Sequence, residues 1–402
     1  MKQILIVEDD PIIAGIYRTK YAHAGFETQT ATDGEMALEL LKTFKPDLIH
    51  LDLMIPKING VDVIKRVRGR PASKSLPIVV LSNTYQNHLV KAAMAAGATE
   101  CVSKAVCTPN LMLQTVNKVL ARSAASDAAP AVAIGPAAAS PVSGPAASTS
   151  RGMGVFGTDV DVTFQAEIRR GFLERGPAML SALGERVKTM TGMEIAADRT
   201  SDLFDLWRAT HSLAGNAGIA GFKDLSQMSS ALEALLKELM EKPKHITASS
   251  LRTIADAQDF LTILFERGAE SGAEAARPAI VLVVDDEVMS RRAVSLAVAR
   301  LNISSVSVDD PQVALRLLPE NRFSLIFLDV DMPGMNGYEL CAALRQMPAN
   351  KETPVVFVTS LTGFESRDRA TASGGNDVIA KPFLSMELAV KALTHILRAQ
   401  PV

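Results

Sequence analysis

The sequence predicts two α/β domains, each a doubly wound parallel sheet, placed on either side of an all-α four-helix bundle. Three observations carry this reading. One block pattern occurs twice in a single register. Within each copy, short apolar runs alternate with amphipathic segments. Between the copies lies a stretch that has no such runs and reads as long amphipathic helices.

The repeat is exact in its spacing. ILIVEDD (4–10) matches VLVVDDE (281–287), and DLIHLDLMIPKING (47–60) matches SLIFLDVDMPGMNG (324–337). LPIVVLS (76–82) matches TPVVFVT (353–359), and SKA (103–105) matches AKP (380–382). All four pairs are offset by 277 positions. Chance supplies one such match, not four in one register, so the chain holds two copies of one domain. Their bounds are 1–122 and 278–402.

Each element follows from local pattern. ILIV (4–7), DLIHL (47–51) and PIVVL (77–81) are runs of four or five residues rich in Val and Ile. Such runs suit strands covered on both faces. PIIAGIYRTKYAHAG, closed by Gly25, and GEMALELLKTF read as the helices between them. Alternating β and α units imply a parallel doubly wound sheet. Residues 123–155 begin with a run of Ala, Pro, Ser and Gly that carries one charge, Asp127. Such a segment buries too little to offset its ordering entropy, and Pro130, Pro136, Pro141 and Pro145 break helix, so it reads as a linker. Residues 156–276 read as helices over 160–190, 200–217, 222–242 and 247–268, with breaks at Thr191-Gly192, Gly221 and Pro243. Four helices with short connections imply an antiparallel bundle.

Composition narrows the function classes. Of the 402 residues, 48% are hydrophobic and 21% charged, and the formal net charge is −2. That balance gives no reason to expect nucleic acid or an anionic membrane as a bulk partner. Cys101, Cys107 and Cys341 form no C-x-x-C pair, which excludes a disulfide scaffold and leaves a zinc site without support. The N-terminus lacks the pattern of a signal peptide, and no run of about 18 apolar residues predicts a membrane span. The expected setting is a reducing cytoplasm.

The chemistry sits at the strand ends. In a parallel sheet of this kind the site lies at the carboxyl edge. Glu8 and Asp9 follow the first run, Asp52 the next, then Ser82 and Lys104. In the second copy the same places hold Asp285, Asp286, Asp329, Thr359 and Lys381. Clustered carboxylates repel one another unless a cation sits among them, and hard oxygen ligands with an open position suit Mg²⁺. A hydroxyl and an ammonium opposite the metal make a cradle for a phosphoryl group. The central aspartate is then the nucleophile. A lone acid in this position caps the following helix about as often as not. A constellation present twice with identical spacing does not fit that reading.

These residues resemble the response-regulator receiver domain, a flavodoxin-like fold of strand order 2-1-3-4-5. The resemblance covers essentially all of 1–122 and 278–402. It implies Asp52 and Asp329 as phosphoacceptors, and Glu8, Asp9, Asp285 and Asp286 as metal-binding acids. The backbone carbonyls of Met54 and Asp331 would join them, with one Mg²⁺ per domain. Ser82 and Thr359 would be the switch hydroxyls, and Lys104 and Lys381 the conserved-type lysines. Pro56 and Gly60, with Pro333 and Gly337, match the loop after the acceptor strand. The family places proline after the lysine. Pro382 fits, with a cis bond as the expectation, whereas Lys104 is followed by Ala105. The family also tends to place an aromatic residue three before the lysine, where this chain has Cys101 and Val378.

In the middle domain the informative stretch is HSLAGNAGIAG (211–221). At about 100° per residue, Gly215 and Gly218 share a helix face with His211, while Leu206, Thr210, Leu213 and Ala217 can fill the core. Interior glycines cost about 1 kcal/mol each, so two beside a histidine call for a close approach. Neutral imidazole is a competent nucleophile toward an acyl phosphate. This segment resembles the histidine-containing phosphotransfer (Hpt) domain. His211 matches the phosphorylated histidine, and Gly215 and Gly221 the small residues after it. Glu233 matches the acid or amide that orients the ring. The family usually has lysine three residues after the histidine. Here that residue is Ala214, and Arg208 or Lys237 could take over its charge. Trp207, the only tryptophan, lies one turn before His211 and reads as half core. His23, His50, His88, His245 and His395 read as packing or surface residues, with His50 packed in the acceptor strand.

Together these resemblances imply a two-component phosphorelay protein. It would accept phosphoryl groups on receiver aspartates, relay them to or from His211, and act by protein contact or onward transfer. Its partners would be a sensor histidine kinase and other Hpt or receiver proteins. It would not be a classical enzyme, and it would have no kinase ATP-binding domain, because no Gly-rich nucleotide box appears. Mg²⁺-dependent self-phosphorylation and dephosphorylation would be its chemistry. Two alternatives are a phosphorylation-controlled adaptor with a silent His211 and the regulatory half of a larger response regulator. Asp329-x-Asp331 also resembles the haloacid-dehalogenase nucleophile motif, but Met54 stands at that place in the first copy.

Overall fold

A computed structural model describes residues 1–82, 87–104, 107–127, 159–192, 199–270, 279–360 and 364–399. The chain divides into two compact units. One comprises Met1–Val80, Ala92–Val102 and Pro109–Arg170; the other comprises Leu81–Lys91, Ser103–Thr108 and Gly171–Val402.

The first α/β domain runs β1 (Gln3–Val7), α1 (Pro11–His23), β2 (Glu27–Ala31), α2 (Gly34–Thr43), β3 (Leu48–Asp52), α3 (Gly60–Arg68), β4 (Ile78–Ser82), α4 (Asn87–Ala96), β5 (Glu100–Ser103) and α5 (Pro109–Asp127). Its sheet has the order β2-β1-β3-β4-β5. β1 pairs in parallel with both β2 and β3, so that Val7 faces Ala31 on one side and Leu51 on the other. The strands β3 and β4 are buried at every position, as the apolar runs predict, whereas the edge strand β2 alternates. α5 continues to Asp127, into the segment read as a linker. Residues 128–155 of that segment, and Ala105, lie outside the described residues.

Four long helices follow: α6 (Asp159–Gly192), α7 (Thr200–Ile219), α8 (Lys223–Glu241) and α9 (Ala248–Glu270). Their ends fall within two residues of the predicted ones. In the second unit, Phe172 of α6, Phe222 at the start of α8 and Phe265 of α9 meet with ring centroids 4.9 to 5.7 Å apart. Such aromatic clusters add specific geometry to a large apolar burial. Leu206, Leu213, Leu232, Leu235, Leu236 and Phe260 complete a dry core.

The second α/β domain runs β6 (Ile280–Val284), α10 (Val288–Ala299), β7 (Ser304–Val308), α11 (Pro311–Leu317), β8 (Leu325–Asp329), α12 (Gly337–Leu344), β9 (Val355–Thr359), α13 (Phe364–Ala372), β10 (Asp377–Ala380) and α14 (Ser385–Arg398). Its order is β10-β9-β8-β6-β7, which is again 2-1-3-4-5. Register aligns Val284 with Leu328, Leu328 with Phe357, and Thr359 with Ala380. The carboxyl ends therefore finish along one edge.

Helix starts are set by short polar side chains. Asp10 accepts from the amides of Ile12 and Ile13, with Pro11 at the first helical position. Asp33 and Asn59 cap α2 and α3, and Asn336 with Glu339 forms a capping box on α12. Asp10 thus caps α1, the role a strand-end acid takes about as often as not.

α14 is buried along most of its length, polar residues included. Ser249 on α9 donates to Glu387 at 2.6 Å, and the Met386 amide donates to Glu238 of α8 at 3.1 Å. Arg267 reaches the Leu397 carbonyl at 3.1 Å, and Arg398 lies over the Phe260 ring. The second α/β domain is joined to the bundle by this helix, which the sequence presents only as the last helix of a flanking module. Among the described residues no helix is long and apolar enough to cross a membrane.

Candidate functional site

Asp329 ends β8, Thr359 ends β9, and Asp285 and Lys381 follow β6 and β10 by one residue. The sheet therefore brings them to one edge, as the strand-end pattern expects. Lys381 Nζ lies 3.0 Å from Asp329 Oδ1, 3.0 Å from Asp285 Oδ2 and 3.8 Å from Glu287 Oε2. Carboxylate oxygens of Asp285, Asp286 and Asp329 all lie within 4.8 Å of one another. Asp285 and Asp329 are buried, whereas Asp286 is exposed. Asp331 is exposed on the loop beyond β8. Three hard carboxylates, one open to solvent, fit a divalent cation with oxygen ligands such as Mg²⁺.

The electrostatics follow from this packing. Burial holds the Asp329 carboxyl above the usual carboxylate range; the hydrogen bond from Lys381 offsets part of that, and the charge of Asp285 adds to it. Burial also works against the Lys381 ammonium, but Asp285 and Asp329 outweigh it and hold Lys381 above its ordinary value.

Glycine is required next to Asp329 and Asp52. A Cβ on Gly337 would fall 2.1 Å from the Asp329 carbonyl oxygen, and one on Gly60 would fall 2.6 Å from that of Asp52. Both glycine amides bond back across the loop, Gly60 to Leu53 and Gly337 to Val330, each at 3.0 Å. These are the glycines that matched in the repeat, and close backbone approach explains them.

In the first copy Glu8 and Asp52 are buried and Asp9 is half-buried. Carboxylate oxygens of Asp9 and Asp52 lie within 4.8 Å, and the Met54 amide donates to Asp52 at 3.1 Å. Ser82 and Lys104 are buried. The two copies hold their lysines by the same backbone bond: the Lys104 amide donates to Ser82 at 2.8 Å, and the Lys381 amide to Thr359 at 2.8 Å. The Lys381–Pro382 bond is cis, as expected. His50 packs as read: its Nδ1 lies 3.0 Å from the Tyr21 hydroxyl, and Tyr17 meets the ring edge-on.

Sequence reasoning missed one residue of the second site. Ser290 Oγ donates to Asp285 Oδ2 in a short bond. The repeat could not reveal it, since Ile13 stands at the equivalent place.

On the bundle, His211 of α7 is only 7% exposed. Its Nδ1 lies 3.0 Å from Glu233 Oε1 of α8, and its Nε2 lies 3.2 Å from Lys104 Nζ within the second unit. An ionised carboxylate only accepts and an ammonium only donates, so the proton belongs on Nδ1 and the lone pair on Nε2. Trp207 stacks on the imidazole at 5.8 Å with 24° between planes, and Phe204 stacks on Trp207 at 5.7 Å. A Cβ on Gly218 would meet Ser226 Oγ at 2.9 Å and the Lys104 carbonyl oxygen at 2.5 Å, which gives the close approach that the interior glycines call for. Gly215 is buried beside them. Arg208 is exposed, and Lys237 is half-buried one turn beyond Glu233. The cation found near the imidazole is Lys104, whose distance in sequence hid it.

The family model of the response regulator receiver domain matches residues 4–117 and 281–393, and that of the Hpt domain matches 167–262. The phosphate regulon transcriptional regulatory protein PhoB of Rhizobium meliloti (strain 1021) is 33% identical over 112 residues, covering 28% of this chain and 49% of its own. The DNA-binding response regulator MtrA of Mycolicibacterium smegmatis is 36% identical over 103 residues, covering 26% of this chain and 44% of its own. The chain thus spans about half the length of these curated relatives. A putative response regulator structure from Chloroflexus aurantiacus is 33% identical, covering 30% of this chain and 98% of that one, with a TM-score of 0.29.

Proposed function

Because this chain belongs to the response regulator receiver family, with two such domains around an Hpt domain, we propose that it passes phosphoryl groups between aspartate and histidine. One observation carries the reading: His211 keeps its Nδ1 on Glu233 and turns Nε2 toward a lysine, in a chain that also holds two strand-end aspartates. That is a fixed tautomer with a nucleophilic nitrogen.

Asp52 and Asp329 are the proposed aspartyl acceptors. A carboxylate oxygen attacks phosphorus, the P–O or P–N bond to the donor breaks, and the donor leaves with its electron pair. Lys381, 3.0 Å from Asp329, neutralises the charge gained. Lys104 follows β5 by one residue, as Lys381 follows β10, and is its proposed counterpart in the first copy. Ser82 and Thr359 supply hydroxyls at the ends of β4 and β9. Mg²⁺ held by Asp285, Asp286 and Asp329, or by Glu8, Asp9 and Asp52, with the carbonyls of Asp331 or Met54, would supply further charge neutralisation.

Transfer to His211 reverses these roles. The Nε2 lone pair attacks the aspartyl phosphate, an N–P bond forms, and the carboxylate departs. Glu233 holds the ring and its Nδ1 proton. Arg208 and Lys237 are further cations for the histidyl phosphate. Gly215 and Gly218 keep that face of α7 slim. A sensor histidine kinase and other Hpt or receiver proteins are the proposed partners.

The test is phosphotransfer from a phosphorylated histidine kinase to full-length chain carrying Asp52→Ala, His211→Ala or Asp329→Ala. We expect label on Asp52 or Asp329 and, through one of them, acid-labile label on His211. Label that stops at the aspartates in every variant would leave a phosphorylation-controlled adaptor instead.

A further inference from the structure

Phe204, Trp207 and His211 stand at i, i+3 and i+7 on α7, which places three rings in a column on one helix face. The column is continuous. Phe204 stacks on Trp207 at 5.7 Å and 29°, and Trp207 on His211 at 5.8 Å and 24°. Phe204 is 49% exposed and Trp207 is half-buried, so the outer end faces solvent and the inner end is the imidazole. Stacking, not hydrogen bonding, sets the indole. Its Nε1 is buried and, among the described residues, has no hydrogen-bond acceptor. A buried indole N–H usually finds a partner. Forgoing one is the cost of lying flat against His211.

We propose that Trp207 is a positioning residue of the His211 site, whose indole face stabilises the ring charge that appears when Nε2 takes a phosphoryl group. The inference rests on the phosphotransfer reading above and extends it to a residue outside the His211–Glu233–Lys104 set. The charge argument is a matter of electron balance. Neutral imidazole with its proton on Nδ1 has one lone pair, on Nε2. When that pair forms the N–P bond, the donor's bond to phosphorus breaks and the donor leaves with those electrons. The Nδ1 proton stays, hydrogen-bonded to Glu233. The ring therefore becomes an imidazolium carrying a phosphoryl dianion. An imidazolium stacked on an indole is a cation–π pair, whereas neutral imidazole gains little from the same geometry. The contact thus favours the phosphorylated ring over the free one, and Glu233 and Trp207 divide the work between an edge and a face. Trp207 also covers one side of the ring against water, which slows hydrolysis of the N–P bond.

The test uses the full chain with Asp52→Ala and Asp329→Ala, so that label stays on the histidine. Potassium phosphoramidate serves as donor, its P–N bond breaking as ammonia leaves. Three forms are compared: Trp207, Trp207→Phe, which keeps an aromatic face, and Trp207→Leu, which keeps apolar bulk only. We expect phosphohistidine occupancy and lifetime to fall about three- to tenfold in Trp207→Leu and to stay within about twofold in Trp207→Phe. Because Trp207 is the only tryptophan, its emission reports the contact directly. His211→Ala should raise it, and phosphorylation of His211 should shift it. Equal phosphohistidine in Trp207→Leu overturns the proposal while leaving the phosphotransfer reading intact. So does tryptophan emission indifferent to His211→Ala. No label on His211 with the native Trp207 would remove both.

Discussion

His211 Nδ1 lies 3.0 Å from Glu233 Oε1, and the two side chains are buried on adjacent helices. This single bond decides which nitrogen carries the proton and which the lone pair. A hydrogen bond to a charged group contributes about 1.5–3 kcal/mol, and Gln at this position keeps the acceptor but not the charge. Glu233→Gln should therefore lower the rate of phosphoryl transfer at His211 by roughly ten- to a hundredfold, because an amide orients the ring without stabilising its charge. Rapid-quench measurement of acid-labile phosphate checks this. An unchanged rate would show that the charge of Glu233 plays no part in the transfer.

The acidic edge of the second receiver predicts a pH dependence. Burial holds the Asp329 carboxyl above the usual range. A carboxylate raised in the folded state binds its proton there more readily than in the unfolded chain. In the absence of metal, the fold therefore gains stability as pH falls through the interval between the two values and loses it as pH rises. Asp329→Asn should accordingly unfold at a higher temperature than the parent at neutral pH, with the gain shrinking toward acid. Thermal melts in chelator across pH 4 to 8 measure it. A substitution that destabilises at every pH would mean that the Lys381 bond outweighs burial.

Gly337 and Gly60 sit against the carbonyls of Asp329 and Asp52. Alanine at either position forces backbone apart. We expect Gly337→Ala and Gly60→Ala each to cost about 2–4 kcal/mol in urea unfolding. Each should also weaken beryllofluoride and magnesium binding in its own domain only. Loss of stability with full binding would separate the loop's packing from the site.

Cys101 offers a chemical check on β5. Burial, aided by the neighbouring charge of Glu100, pushes its thiol up to about 11. The thiolate is the reactive form, and at pH 8 it should be roughly one part in a thousand. Peptide mass spectrometry after iodoacetamide treatment should find Cys101 almost untouched at pH 7.5 and increasingly alkylated toward pH 11. Rapid labelling at neutral pH would contradict the packing around Met94 and Glu100.

Much of this protein was legible in its sequence. The repeat revealed both sheets because strands covered on two faces must be apolar runs. The acids at their ends were legible because the binding crevice of such a sheet lies at its carboxyl edge. His211 was legible because Gly215 and Gly218 share its helix face at a fixed period, whereas Glu233 was reached only through the resemblance to the Hpt domain. The strand-end places of Asp52, Asp329 and Lys381 followed from spacing, and the cis bond to Pro382 from the resemblance to receivers.

Other features belong to tertiary structure alone. Lys104 lies beside His211 across 107 residues of chain, Ser290 feeds Asp285 with no counterpart in the first copy, and α14 closes against α8 through Met386 and against α9 through Glu387, Leu397 and Arg398. Local spacing constrains what a residue can touch within a turn or a strand pair. Which faces of separate elements then meet depends on side-chain shape and the exclusion of water, and no period in the sequence encodes either.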